Sequence, residues 1–147
     1  EDLDDIAAYV SSLNVLPRSP WRDADGELTA EAARGEEIFH DPEIGCSECH
    51  SGVELTDSSW IEPGLPLLHD VGTLTEASGQ RMSGALWGLD TPSLRGLHST
   101  GPYLHDGSAP DVVSVLLDAN PDDRHGTTST LDDDQINDLA EYILSQE

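Results

Sequence analysis

The chain has 147 residues, enough for one domain and little more. It carries 30 acidic residues against six basic ones, a formal charge of −24, and all six basic residues are arginines. So acidic a surface excludes nucleic acid and anionic membranes as partners, since both need a basic face, and no stretch is long and apolar enough to span a bilayer.

The acids are spread along the whole chain, as on a surface that keeps a protein soluble where salt screens its self-repulsion. The competing reading is a docking face for a basic partner. Apolar residues make up 36% and aromatics 5%, so a core built from side chains alone is thin.

From the N-terminus, Leu3, Ile6, Ala7, Val10 and Leu13 share one helical face, and Asp2, Asp4 and Asp5 suit the positive end of its dipole. Pro17 and Pro20 close this helix, and the segment from Pro17 to Gly26 reads as a linker. A single short helix does not make a domain. Residues 1–26 are therefore read as the terminal helix of a preceding domain plus a Pro-rich linker, and 27–147 as a domain of their own. The first residue, Glu1, falls inside the apolar-periodic segment, which suggests a piece of something longer.

Thr29 is placed to cap a helix over 30–40, with Glu31 in its first turn and Ile38 and Phe39 at its apolar end. A short connection from Asp41 to Gly45 leads into Cys46-Ser47-Glu48-Cys49-His50. Residues 51–90 have a loop-like texture with no strand pattern of any length. Thr91-Pro92 starts a short helical turn through Leu97. Pro110 fits the first turn of a helix over 110–119, whose apolar residues are Val112, Val113, Val115, Leu116 and Leu117. In the last helix Asp132 is the cap and Gln135 stands where a capping box needs it, with Leu131 and Ile136 as the hydrophobic staple. Its buried stripe is Ile136, Leu139, Ala140, Ile143 and Leu144. The sum is an all-α domain with long irregular loops.

The chemistry lies in residues 46–50. Two thiols three residues apart sit on adjacent sides of one helical turn, a spacing that matches the vinyl groups on neighbouring porphyrin edges. His50 then falls under the iron as a neutral imidazole ligand. A redox dithiol would sit after a strand in a βαβ unit, and a zinc site would need further ligands at ligand spacing. The sequence offers neither, so Cys46, Cys49 and His50 are read as the attachment site of one covalent haem c. The buried porphyrin also supplies apolar surface that the composition lacks. Thioether attachment takes place outside the bacterial cytoplasmic membrane, so a periplasmic or extracellular location follows.

Met82, His125, His105, His98, His69 and His40 are the candidates for the sixth ligand. His125 sits in a tight polar loop between the two late helices, where it can be held over the distal face of the haem. Met82 sits in a flexible region and, as a thioether ligand, would raise the potential. Arg95 is suited to a haem propionate through a bidentate guanidinium, or to an ordinary surface salt bridge.

Thr91-Pro92-Ser93-Leu94-Arg95-Gly96, followed by Gly101-Pro102-Tyr103-Leu104-His105-Asp106-Gly107-Ser108, resembles the hallmark of the di-haem cytochrome c peroxidase family. So do Gly35-Glu36-Glu37-Ile38-Phe39 before the cysteines and Asp138-Leu139-Ala140-Glu141-Tyr142-Ile143 near the end. The resemblance covers residues 27–147 and is to the C-terminal haem domain. It extends to the cytochrome portion of exported proteins that join this module to a β-propeller.

The resemblance implies a cytochrome c-like fold around one haem that is six-coordinate and passes electrons. The family's distal ligand lies between the Pro-Tyr-x-His-Asp-Gly motif and the last helix, a position that His125 matches, with Met82 as the alternative. It also implies Arg95 as a propionate partner and Tyr103 and His105 near the haem edge. The chain has no second CxxCH, so it lacks the other haem that a peroxidase mechanism needs. The expected function is electron transfer within a larger redox protein, to a redox partner or to a second haem domain of the same parent chain. The alternative is the peroxidase domain of a di-haem enzyme.

Overall fold

The computed structural model describes residues 2–13, 17–62, 65–81 and 83–147. Among them are five α-helices: α1 (Asp2–Ser12), α2 (Ala30–Phe39), α3 (Cys46–Cys49), α4 (Val112–Leu116) and α5 (Asp133–Leu144). Two short antiparallel hairpins stand in the middle of the chain. One pairs β1 (Trp60–Glu62) with β2 (Leu65–Pro66), and the other pairs β3 (Gln80–Arg81) with β4 (Gly84–Ala85). The domain is therefore largely helical but not all-α. Strands of two or three residues are too short for a period-two pattern, which is why the sequence of this region reads as loop.

The core is the crossing of α2 and α5. Thr29 caps α2 by accepting from Ala32 N–H at 3.0 Å. Asp132 and Gln135 form the reciprocal capping box of α5. The two helices bury Ala32, Phe39, Ile136, Leu139, Ala140, Tyr142 and Ile143, joined by Leu94 and by Val112 and Leu116 of α4. Phe39 packs on Tyr142 with ring centres 5.1 Å apart. Arg34 reaches across the crossing to Asp138 with a bidentate pair at 2.7 and 2.8 Å.

Gly35 sets how closely the helices approach, because a Cβ there would lie 2.0 Å from the Asp138 carbonyl oxygen. The clash is with backbone, which no side-chain rotation relieves. Gly35→Ala is expected to cost about 2–3 kcal/mol, at the upper end of overpacking penalties. A urea titration showing an unchanged midpoint would contradict it.

Two other elements differ from expectation. α4 begins at Val112, because the Asp111 side chain takes the cap and accepts from Ser114 N–H at 2.7 Å; Pro110 lies before the cap. The turn expected over 91–97 is a 3-10 turn at Leu97–Ser99 instead, entered through Gly96 at φ +69°.

The segment read as a linker is packed against the end of α5. Ser19 donates its hydroxyl to the Leu144 carbonyl at 2.7 Å, and Arg22 Nε donates to that of Ser145 at 2.8 Å. α1 buries none of its residues, and its apolar face, including Leu3, Ile6, Tyr9 and Val10, is exposed. No helix among the described residues is long and apolar enough to cross a membrane.

Candidate haem site

α3 is a single turn that carries both cysteines. The chain enters it through Gly45 at φ +84°, a left-handed conformation that glycine adopts freely. His50 closes the turn by donating its N–H to the Cys46 carbonyl at 3.0 Å. One local element thus holds the two sulfurs and the imidazole.

Cys46 packs against the core cluster, and Cys49 is half-buried. Burial pushes the Cys46 thiol up to about 11. It raises that of Cys49 as well, with Asp57 and Glu48 adding to the effect. A reactive cysteine needs an electropositive surrounding that favours thiolate. These two have the opposite, which speaks against the redox-dithiol alternative.

His50 Nδ1 lies 3.2 Å from the carbonyl oxygen of Leu55. A carbonyl only accepts, so Nδ1 carries the hydrogen and Nε2 keeps a lone pair for a metal. Burial lowers the His50 pKa, against the raising effect of the Leu55 and Pro92 backbone and of Asp57. Leu55 itself stands at φ +49°, in the left-handed region, at the point where its carbonyl meets the ring.

His125 comes from the loop between α4 and α5. Its ring centre is 6.2 Å from that of His50, with 38° between the planes. Burial, and then the neighbouring His50, push its pKa down to about 4, so it is neutral at pH 7. Two metal–nitrogen bonds of about 2 Å, plus about 1 Å from each nitrogen to its ring centre, come to about 6 Å. At this separation the two imidazoles could both ligate one metal. The donor set and its spacing therefore fit a haem iron.

The two sides of the site are also tied together. Thr127 N–H donates to the Ile44 carbonyl at 2.9 Å. Gly126, at φ +83°, passes so close that a Cβ there would lie 3.1 Å from that carbonyl oxygen and 3.7 Å from Cys46 Sγ. Gly126→Ala combines left-handed strain with this approach, and a loss of about 1–2 kcal/mol is expected from the backbone conformation alone. Thermal denaturation of the variant checks it; an unchanged melting temperature would count against this loop geometry.

The remaining sequence candidates make other contacts. Arg95 Nε donates to the Glu147 carbonyl at 2.7 Å, and its Nη1 lies 3.1 Å from Glu54 Oε1. Tyr103 packs against the core and donates its hydroxyl to the Leu97 carbonyl at 3.1 Å. His105 is exposed, with Nε2 at 2.9 Å from Ser78 Oγ. Among the described residues none of these three hydrogen-bonds to His50 or His125. His40 packs its ring edge-on against Phe39. Met82 lies outside the described residues.

One pairing escaped the sequence reading. His69 Nε2 lies 2.8 Å from Asp57 Oδ2, and its Nδ1 lies 4.0 Å from Cys49 Sγ. The three residues offer donor atoms within 4.8 Å of one another, as a metal would require. A sulfur already in a thioether has no thiolate to give, so haem attachment and this metal geometry exclude each other. Nothing in the sequence signals the pairing, because Asp57 and His69 meet across irregular chain.

Comparison with known proteins is consistent with this geometry. Residues 32–147 match the family model described as cytochrome c. The chain is 32% identical to hydrazine synthase subunit gamma of Kuenenia stuttgartiensis, an alignment covering 96% of this chain and 48% of that one. It is 27% identical to cytochrome c peroxidase Ccp of Escherichia coli K12, over 99% of this chain and 32% of that one. A solved structure of Kuenenia stuttgartiensis hydrazine synthase superimposes with a TM-score of 0.68 at 32% identity, covering 88% of this chain and 50% of that chain. The chain thus spans half or less of the length of these relatives.

Proposed function

The chain belongs to the cytochrome c family, on its di-haem cytochrome c peroxidase-like branch, and on that footing we propose that it relays single electrons through one haem c. Cys46 and Cys49 would hold the haem covalently, and His50 and His125 would ligate its iron. The observation that carries this reading is the 6.2 Å separation of the His50 and His125 ring centres.

Bound there, the haem supplies a one-electron couple, poised lower by two imidazoles than by an imidazole and a thioether. The protein's part is to hold and insulate it. Cys46, packed on the core, would tether it there, and Leu55 orients the His50 ring by accepting from Nδ1. His125 would occupy the sixth ligand position and so keep substrate from the iron. Arg95 is a propionate partner in this reading. Its guanidinium is held by the exposed Glu54, which a second carboxylate can displace. Tyr103 and His105 would pack near the haem in this reading.

The chain spans half or less of the length of its relatives, which supports a parent longer than this chain, with residues 1–26 as the last helix of a preceding domain and its linker in this reading. The partner is that parent's second haem domain or a separate redox protein. Haem attachment outside the cytoplasm makes the location periplasmic or extracellular.

The second reading, a peroxidase domain, is favoured by the name of the Escherichia coli relative. It requires an open or displaceable sixth position and a distal acid–base group. Carbon monoxide added to the ferrous chain at pH 7 separates the two. With His125 in place the reduced spectrum should not change. A carbon monoxide complex formed at once would replace the electron-transfer reading by the peroxidase one.

A further inference from the structure

Asn120 is one of the few buried polar residues, and it sits five positions before His125. It is 5% exposed, and both ends of its amide are engaged. Oδ1 accepts from the backbone N–H of His125 at 2.8 Å. Nδ2 donates to the Gly126 carbonyl at 2.8 Å and to Thr128 Oγ1 at 2.9 Å, and lies 3.3 Å from the His125 carbonyl. Thr128, itself 2% exposed, hands the chain of bonds on to α4 by donating to the Leu116 carbonyl at 2.6 Å.

A loop histidine that must be ordered each time it meets the metal is a weak ligand, whereas one whose backbone is already fixed acts at high effective concentration. The amide side chain suits this task because it both donates and accepts. It grips the N–H of His125 from one side and the carbonyl of Gly126 from the other.

We infer that Asn120 is a positioning residue that holds His125 on the iron by fixing the loop backbone on either side of it, and so sets how readily the sixth position opens. This rests on His125 being the sixth ligand.

The test is stopped-flow cyanide binding to the ferric, haem-loaded chain. At saturating cyanide the limiting rate is that at which the protein ligand leaves the iron. Asn120→Ala should raise that rate at least about tenfold, as the loss of more than one buried hydrogen bond implies, while the mass still shows attached haem. Asn120→Asp keeps the acceptor for His125 N–H and should fall between the two. Ile143→Ala, a core truncation away from the loop, should lower the melting temperature and leave the rate alone.

A wild-type limiting rate in Asn120→Ala, with a lowered melting temperature like that of Ile143→Ala, would reduce Asn120 to a structural role and overturn the inference. If Asn120→Ala does not fold, an unchanged rate in Asn120→Asp overturns it equally. The ligand assignment fails separately: if His125→Ala takes up cyanide as slowly as the parent chain, His125 is not the ligand and both proposals go.

Discussion

Replacing His125 by alanine should convert the ferric protein from low spin to high spin and open it to external ligands. The imidazole is placed 6.2 Å from that of His50, neutral at working pH because burial and its neighbour push its pKa down to about 4. Among the described residues, no second histidine ring is recorded against His50 in this way. Removal therefore leaves a vacant position, which binds cyanide at least about a hundredfold more tightly, a gain of about 2.7 kcal/mol. Added imidazole should restore the low-spin spectrum, since the space of the ring is then free for it. Met82→Ala is the informative control: it should leave the spectrum unchanged. A variant at 125 that stays low spin, with a variant at 82 that does not, would transfer the sixth position to Met82 and with it raise the expected potential.

The second large effect is expected at the cysteines. Cys46→Ser together with Cys49→Ser should leave haem that organic solvent extracts from acid-denatured protein, where the parent chain keeps its colour. Stability should fall as well. A single buried aromatic side chain removes about 150–250 Å² from water. A tetrapyrrole removes more, so once the untethered haem dissociates its absence costs, at about 25 cal/mol per Å², on the order of 5 kcal/mol or more. That is comparable with the whole stability of a small domain, about 5–15 kcal/mol, and this chain has only 5% aromatic residues with which to compensate. The variant should show loss of near-ultraviolet circular dichroism and a broad, non-cooperative melt. Retained colour after extraction would mean that neither sulfur carries the haem.

The parts of the structure legible in the sequence are those encoded locally. The Thr29 cap and the Asp132–Gln135 box involve residues three apart, and both form as read. The five residues from Cys46 to His50 form one local turn that brings both thiols and the imidazole together. His125 was singled out because it lies between two well-signalled helices, and the structure puts its ring centre 6.2 Å from that of His50.

What was not legible depends on contacts between distant or irregular segments. The hairpins β1–β2 and β3–β4 are held by a few backbone hydrogen bonds with no side-chain alternation to announce them. Pro110 and Asp111 both favour a helix start, and only the observed bond to Ser114 shows that the aspartate takes the cap. The Asp57–His69 pair, and the grip of Asn120 on the His125 loop, join residues whose types say nothing in isolation. Arg95 is engaged with Glu54 and the C-terminal residue, a placement that depends on where residue 147 ends up.

The most direct test of paired histidine ligation is a low-temperature electron paramagnetic resonance spectrum of the ferric, haem-loaded chain. A low-spin signal of two imidazole ligands, accounting for nearly all the iron and lost in His125→Ala, is the expected result. A predominantly high-spin signal in the parent chain would contradict it.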